Sequence, residues 1–567
     1  MSCMASLTTF PQSSTEPSLD LDLDQAQAGL KDAVQTPERP RLLVLQQTND
    51  THTRAFQVKQ TLRQILSKRQ RRLARRHDAA IRYPDISGPV ITTPRTTFDI
   101  SERVEATPWA GVATALHVVD HAGLPAEIDQ ALNLLQIHRP YHESDHVLNV
   151  AINALVGGST LDDIRLRRDD EAFLNMIGAS SLPAPTTAGD FCRRFNQRAI
   201  HVLMDAINRA RLRIWQNMPQ EWFRQTARID VDGTLVSTTG ECKEGMDISR
   251  KGTWGYHPLL VSLANTGEPL FIVNRSGNRP SHEGAASYLD QAIKLCRRAG
   301  FEDILLRGDT DFSQVRHLDR WNVQGVRFVF GYKAYPNLKA YADGIEFKAW
   351  HELIRKAEQI FDNQDKISRR KQPRVKETIV KARGFKNLRL RSEDLAEFEY
   401  TPGGCRQAYR MVVLRKNISV EKGEQVLFDE VRYFFYITND FEISRAAVVY
   451  ESNQRCNQEN LIEQLKNGAR GLHAPVKTLN ANWAYMVMAS LAWTIKAWMA
   501  LSVPVNARWR ARQEREKREW LRMELKRFRD EVLCIPAQIL RSGRRVIVRL
   551  LSTRAQTGVM LRLHASL

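Results

Sequence analysis

The spacing of hydrophobic and polar residues predicts that the chain changes from helices to strands near Ala227. Upstream, apolar residues recur at helical spacing over 124–136, 145–156, 161–168 and 188–213, which predicts one all-helical region. Downstream, three short apolar runs separated by Gly, Asn and Pro predict neighbouring strands: ARIDVDG, HPLLVSLA and EPLFIVNRS. Helix and strand then alternate. This order is typical of an α/β fold with a mixed sheet.

A basic stretch interrupts the alternation after the strand VRFVFGY. Residues 334–430 begin with basic and polar segments and continue as alternating runs such as AYRMVVLRK, which predicts an inserted β-rich subdomain. The apolar strand VRYFFYITND then resumes the sheet, and the helix containing NQRCNQENLIEQLK follows it. The insertion therefore divides the sheet from its last helix.

The charge balance predicts a polyanionic binding partner. Lys and Arg number 83 against 64 acidic residues, giving a formal charge of +19. Nucleic acid is the first partner to expect and a membrane surface the second. Six basic residues between Lys68 and Arg76 predict an arm that lies on a DNA backbone, with a solvated basic face as the alternative.

Several sequence features argue for a cytosolic protein. The apolar stretch from Trp483 to Val503 is interrupted by Lys496 and therefore predicts core helix rather than a membrane span. The first residues contain no basic segment followed by an apolar one, so no secretory signal is expected. The seven cysteines are scattered with no C-x-x-C pair, which fits reduced thiols.

The segment PAPTTAGDFCRRFNQRAI predicts a helix in the helical region with Thr187 as its N-cap. Arg193, Arg194 and Arg198 fall on its exposed side. Two interpretations stay open. The segment can be the recognition helix of a helix-turn-helix, or it can pack beneath a later domain.

Two acidic residues stand at the ends of predicted strands, where α/β proteins present functional side chains. Asp232 lies in RIDVDGT, and Asp309 follows the apolar run ILLRG. Asp230 shares a strand face with Asp232 and is its rival, as Asp311 is the rival of Asp309. We prefer Asp232 and Asp309 because each lies at its strand end.

A third acidic residue lies on the predicted helix 453–466. Arg455, Glu459, Ile462 and Lys466 fall along one stripe of that helix. A carboxylate flanked by two bases suits neither a core stripe nor a plain solvent face. The rivals of Glu459 are Glu451, two residues before this helix, and Glu463 on it.

Together, Asp232, Asp309 and Glu459 predict a metal site that holds two divalent cations about 4 Å apart. Mg²⁺ takes a few carboxylates together with water and phosphate oxygens, so three acids are sufficient. Arg455 and Lys466 would then bind DNA phosphates near the scissile bond. His257 and His282 are interpreted as structural residues rather than as metal ligands or a general base.

These motifs resemble the DDE transposases of bacterial insertion sequences that carry a β-strand insertion between the second Asp and the Glu. In that family the last helix reads Tyr, two residues, Arg, three residues, Glu, six residues, Lys. Arg455, Glu459 and Lys466 match it in register, whereas Ser452 stands at the Tyr position and Tyr450 lies two residues earlier. DGT at Asp232 and DTDF at Asp309 also match. The resemblance covers about residues 100–500.

The resemblance implies an RNase H-like mixed-sheet core, and the residue patterns place an all-helical domain before it and a basic helical tail after it. The predicted boundaries are a largely disordered arm with a basic helix (1–95), a helical DNA-binding domain (96–225), the catalytic core in two parts (226–333 and 431–503), the inserted β subdomain (334–430) and the tail (504–567).

The implied activity is cut-and-paste DNA transposition. The protein would bind double-stranded DNA at terminal inverted repeats and at the target, as a dimer in the synaptic complex, in the bacterial cytoplasm at the nucleoid and without a membrane partner. Mg²⁺, replaceable by Mn²⁺, would be the cofactor, with two ions in each site. Tyr450 would take the place of the family's Tyr. An RNase H-fold nuclease without joining activity and a catalytically dead DNA-binding descendant are the alternatives.

Overall fold

The computed structural model describes residues 64–78, 96, 104–353, 375–423, 425–542 and 545–567. Most of the predicted arm 1–95 therefore lies outside the described residues, and its described part is helix α1 (64–78). All six basic residues between Lys68 and Arg76 are exposed on this helix. Exposed cations at such density form a strong positive surface.

In the described part of the chain, the helical region begins with one short strand, β1 (Glu105–Thr107), and continues with eight α-helices. The predicted helix 188–213 is wrong as a single element, because it divides into two. The first helix ends at Arg193, and Asn196 caps the second by accepting a hydrogen bond from the Ala199 amide at 2.9 Å. The helices are α2 (Ala110–His121), α3 (Leu124–Ala131), α4 (Glu143–Leu155), α5 (Arg165–Arg168), α6 (Glu171–Ile177), α7 (Pro185–Arg193), α8 (Gln197–Gln216) and α9 (Gln220–Phe223).

The strands that follow form one large mixed sheet and one small sheet. Among the described residues the large sheet has nine strands, and the small sheet has the order β3-β5-β4. The strands are β2 (Ala227–Gly233), β3 (Val236–Ser237), β4 (Asp247–Ile248), β5 (Trp254–Tyr256), β6 (Leu259–Leu263), β7 (Glu268–Val273), β8 (Ile304–Gly308), β9 (Arg327–Tyr332), β10 (His351–Glu352), β11 (Lys386–Tyr400), β12 (Tyr409–Lys422) and β13 (Gln425–Thr438).

The large sheet has the order β10-β11-β12-β13-β9-β8-β2-β6-β7. β2 and β8 are parallel, as are β8 and β9, and the other neighbours are antiparallel. The mixed sheet predicted from the alternation of helices and strands is therefore confirmed. Because β2 and β8 are parallel neighbours, the residues that follow their carboxyl ends meet at the same edge of the sheet.

The insertion continues this sheet. β13 pairs with β12 along its length and with β9 only through Phe435–Thr438, so one strand runs from the insertion into the core. The boundary expected between residues 430 and 431 falls inside β13. The reason is that QVLFDEVRYFFYIT keeps a continuous strand propensity, and nothing in it stops the ladder.

The remaining α-helices flank the sheet and form the end of the chain. They are α10 (Ala285–Ala299), α11 (Val315–Val323), α12 (Pro336–Asp343), α13 (Val375–Ala382), α14 (Arg445–Gln454), α15 (Cys456–Glu463), α16 (Leu479–Leu501), α17 (Arg510–Arg522), α18 (Leu525–Phe528) and α19 (Thr557–His564). α16 is buried along its length, and among the described residues it is the one helix long and apolar enough to cross a membrane.

The tail is helical in its first part and then forms a hairpin of β14 (Ala537–Ser542) and β15 (Arg545–Leu550). β14 also pairs with β1, which joins the tail to the start of the helical region. The hairpin departs from the predicted helical tail because RVIVRL holds three consecutive β-branched residues, which favour a strand.

Candidate active site

β2 brings Asp232 to the edge of the large sheet. The strand is buried from Ile229 to Val231 and becomes partly exposed at Asp232, whose side chain is 16% exposed. One carboxylate oxygen, Oδ1, accepts a hydrogen bond from the Gly233 amide at 2.8 Å. The other, Oδ2, accepts one from Arg455 Nη1 at 3.2 Å. The first predicted carboxylate thus faces a cation from the last helical segment.

β8 ends at Gly308, and Asp309 follows directly at the same edge. Asp309 caps a short 3₁₀ turn, Thr310–Phe312, by accepting a hydrogen bond from the Asp311 amide at 2.9 Å. Burial raises the pKa of the Asp309 carboxyl, against that backbone hydrogen bond and the charge of Arg455. Its rival Asp311 is exposed.

Burial also raises the pKa of Asp232, to about 6. The Arg455 charge opposes this shift, whereas the charges of Asp309 and Glu459 add to it. The three predicted acids therefore act on one electrostatic site. A half-buried carboxylate whose proton affinity is raised by neighbouring acids is a site that also attracts a metal cation.

Glu459 lies on α15, and the predicted single helix 453–466 is wrong in shape. The helical path divides at Arg455, where the amide bonds back only three residues, to Ser452 O at 3.3 Å. A π-helical turn, Gln464–Gly468, follows α15. Ile462 is buried, whereas Glu459 is exposed, so the predicted stripe has one apolar member in the core and its acid facing solvent.

Gln458 attaches α15 to the sheet, a role that was not predicted from the sequence. Its Nε2 donates to the Leu260 carbonyl at 3.3 Å, and its Oε1 accepts a hydrogen bond from Ser262. Leu260 pairs with Asp232 across β6 and β2. Gln458 therefore holds α15, and with it the neighbouring Glu459, beside the strand that carries Asp232. A polar residue in an amphipathic helix carries no sequence signal for this role.

The basic residues of the stripe also lie beside β2. Lys466 Nζ donates to the Leu235 carbonyl at 2.8 Å, three residues after Asp232, and burial lowers its pKa. Tyr450 lies on α14 and is 39% exposed. The structure thus gathers Arg455 and Lys466 around the end of β2. A contact between these residues and DNA phosphate stays a prediction.

A buried ion network lies beneath the site and involves two of the rival acids. Asp230 binds Arg307, and Glu451 binds both Arg307 and Arg228, with N–O distances of 2.7–2.9 Å. Asp230 is 1% exposed. Both acids have their charge met by arginine inside the protein. This network was not predicted, because neither arginine lies near its partner in sequence.

His257 lies against the strand end that carries Asp232. Its Nδ1 is 2.8 Å from the Arg279 carbonyl, which makes Nδ1 the protonated nitrogen. A Cβ placed on Gly233 would lie 2.8 Å from His257 Nε2, so any other residue there requires the imidazole to shift. Burial lowers the pKa of His257. The imidazole thus holds the loop near Asp232 in its neutral form, as the structural interpretation predicts.

The described residues contain no group of three His, Cys, Asp or Glu side chains arranged closely enough to hold a metal ion. Asp232, Asp309 and Glu459 therefore do not form a closed cage in this arrangement. The donor chemistry nevertheless fits a hard divalent cation, because two half-buried carboxylates converge at one sheet edge and a third acts on the same site.

Arg193 and Arg194 lie at the end of α7, far along the chain from this site. Arg193 forms an ion pair with Asp190, and Arg194 donates to the Leu134 carbonyl at 3.2 Å. The predicted N-cap Thr187 is wrong, because the helix starts at Pro185 after Ala184. Proline is favoured in the first helical turn. α7 packs against α4 and α16, as the packing interpretation requires.

Comparison with known proteins identifies a family. A family model described as transposase DDE domain group 1 matches residues 107–567. No curated protein matches the chain significantly. Among solved structures, the chain is similar to a piggyBac transposase in a synaptic complex with hairpin DNA, with 11% sequence identity, a TM-score of 0.33, and coverage of 75% of this chain and 79% of that one. The family match reaches the last residue and so includes the tail, which the motifs did not cover.

Proposed function

This chain belongs to the DDE transposase family, and on that premise we propose that it moves a bacterial insertion sequence by cut-and-paste transposition. The observation that carries the proposal is the convergence of Asp232 and Asp309 at one sheet edge, each with a pKa raised by burial. Such a pair supports metal-dependent cleavage and rejoining of phosphodiester bonds.

Asp232 and Asp309 would hold the cations, and Glu459 would complete the ligand set from α15. Bound there, Mg²⁺ or Mn²⁺, two ions in each site, supplies an activated water or 3′-hydroxyl and stabilises the leaving oxygen. In the nick, water oxygen bonds to phosphorus as the P–O3′ bond breaks and frees a 3′-hydroxyl. In strand transfer, that hydroxyl bonds to a target phosphorus and releases a target 3′-oxygen.

Arg455 has a role in both states of the site. Without DNA its guanidinium offsets the charge of Asp232 at 3.2 Å. With DNA bound, Arg455 would turn its remaining N–H groups to a phosphate beside the scissile bond, since five donors permit two partners. Lys466 would add a second positive charge from the π-helical turn, and Tyr450 would supply the aromatic contact that Ser452 cannot.

The substrate would be double-stranded DNA carrying terminal inverted repeats, together with a target duplex. Arg193 and Arg194 on α7 and the basic residues of α1 would contact its backbone. Two copies would bring two ends together in a synaptic complex, in the cytoplasm at the nucleoid. The net charge of +19 supports a nucleic-acid partner.

The test is a reaction of the full chain with Mg²⁺, a labelled DNA carrying the element's own ends, and a plasmid target. The proposal expects nicked ends, excised element and labelled DNA joined to the plasmid. Cleavage without joining would support a nuclease instead. Binding without any cleavage, in either Mg²⁺ or Mn²⁺, would support a dead DNA-binding descendant.

A further inference from the structure

The outer half of β13 has one edge without a strand partner among the described residues. β12 covers one side of β13 over its length, whereas β9 covers the other side only at Phe435–Thr438. Within the described part of the chain, no backbone hydrogen bond outside the β12 ladder reaches Phe428–Phe434. This stretch, about 23 Å of strand, therefore presents unpaired N–H and C=O groups.

The side chains along this edge include three exposed large apolar residues among charged ones. Phe428 is 53% exposed, Val431 is 49% and Phe434 is 42%. Soluble proteins protect long edge strands, because an exposed apolar edge is a template for pairing with another chain. A strand with this composition is therefore expected to have a partner in solution.

The sequence of the edge is complementary to itself about Val431. In an antiparallel pairing of two copies centred on Val431, Glu430 of each copy stands opposite Arg432 of the other. Phe428 of each copy then stands opposite Phe434 of the other. Phe428, Glu430, Arg432 and Phe434 share one face of the strand, because they alternate. Opposite-charge and aromatic pairs are the cross-strand pairs that stabilise a sheet.

The two charged side chains that this pairing needs, Glu430 and Arg432, already form an ion pair within one chain. Arg432 Nε and Nη2 lie 2.6 and 3.1 Å from the two carboxylate oxygens of Glu430 in the same chain. Both side chains lie on the exposed surface near the unpaired edge. In the paired form each Arg432 would exchange this partner for the Glu430 of the second copy, with no new charge to neutralise.

The opposite edge of the insertion does not offer this complementarity. Among the described residues, β11 also has no strand partner on its outer side from Lys386 to Ser392. From Lys386 to Arg391 its charged residues are all basic, namely Lys386, Arg389 and Arg391. Two copies of β11 in antiparallel register would place bases opposite bases, and like charges across strands are destabilising. The charges therefore favour pairing of two copies through β13 rather than through β11.

We propose that β13 of one copy pairs with β13 of a second copy about a two-fold axis at Val431, which joins two sheets through their insertions. The interface is isologous and closed. The ladder covers Phe428–Phe434, because β9 already occupies the edge from Phe435. Gln425–Leu427 must therefore bend away from the partner's β9, at the register irregularity opposite Val420 and Glu421. The contact is small, so it is weak in free solution and strengthens when DNA holds two copies together.

The test is sedimentation velocity of the full chain over a concentration series, without DNA or metal. Wild type is expected to shift from monomer to dimer as concentration rises. Arg432→Glu places acids opposite acids at two sites and raises the dissociation constant about tenfold. Glu430→Arg does the same with bases. The double variant Glu430→Arg/Arg432→Glu restores the opposite charges and the wild-type dissociation constant.

Arg389→Glu on β11 is the matched control and leaves the dissociation constant unchanged. Circular dichroism of each variant checks that the exposed substitutions leave the fold intact. A wild-type chain that stays monomeric at all concentrations overturns the proposal. So does a dimer that the single charge reversals do not weaken. Neither result bears on DNA cleavage, which the assay does not contain.

Discussion

Arg307 binds Asp230 through two hydrogen bonds, Nε to Oδ1 at 2.7 Å and Nη2 to Oδ2 at 2.9 Å, and both side chains are 1% exposed. Asp230→Ala would leave the guanidinium buried with one partner lost, which costs about 3–5 kcal/mol of unfolding free energy. Urea unfolding at pH 7 measures this loss. A destabilisation below about 1 kcal/mol would contradict the structural role of Asp230.

Asp232→Asn, two residues further on, is expected to have the opposite effect on stability. The folded-state pKa of about 6 lies above the ordinary 3.8, so the folded chain binds more protons than the unfolded chain between those values. Unfolding free energy therefore falls as pH rises through this window. Asp232→Asn has no carboxyl group at this position, so its unfolding free energy does not fall in this way. Above pH 6 its unfolding free energy should exceed that of wild type by about 1–3 kcal/mol. Urea unfolding at pH 4, 5, 6 and 7 checks it, and a difference that does not grow with pH would refute it.

Gly233→Ala is expected to disturb the strand end that carries Asp232. The new Cβ would lie 2.8 Å from His257 Nε2 and 3.4 Å from Ser281 Cβ, so the imidazole must shift, at about 1–3 kcal/mol. The rate of DNA cleavage should fall by a larger fraction than the melting temperature. Gly233→Ala/His257→Ala removes the clash and should recover part of the activity. If the second substitution lowers cleavage further, the clash is not the cause.

The buried Lys496 is expected to make the unfolding free energy depend on pH with the sign opposite to that of Asp232. Burial lowers its pKa from 10.5 to about 7, although Nζ donates to the Leu521 carbonyl at 2.7 Å. Between pH 7 and 10.5 the unfolded chain binds more protons, so this group makes unfolding free energy rise with pH. Lys496→Met should remove that rise. Thermal unfolding from pH 7 to 9 measures it, and equal slopes in both proteins would count against it.

The mixed sheet could be predicted from the sequence because its strands are short apolar runs bounded by turn residues, and that signal is local. Asp232 and Asp309 could be placed at strand ends for the same reason. The parallel pairing of β2 with β8 then brings these residues to one edge. The direction of the strands and their order along the chain were therefore sufficient to predict the positions of these two residues.

The remaining features depend on contacts between distant residues. The Arg307 pairing with Asp230 and Glu451 and the Gln458 contact with Leu260 join segments far apart in sequence. The break at Arg455 is a change in backbone hydrogen bonding within a segment of good helical pattern. Hydrophobic periodicity is helical on both sides of such a break and therefore predicts one element.

The proposed function depends most directly on Glu459 acting with Asp232 and Asp309 in a metal-dependent site. The measurement is Mg²⁺-dependent cleavage and joining of labelled element ends by Glu459→Gln, beside Glu463→Gln as the control on the same helix. We expect Glu459→Gln to retain DNA binding and lose both reactions, whereas Glu463→Gln retains all three activities. Cleavage and joining by Glu459→Gln at the wild-type level would contradict the three-acid site.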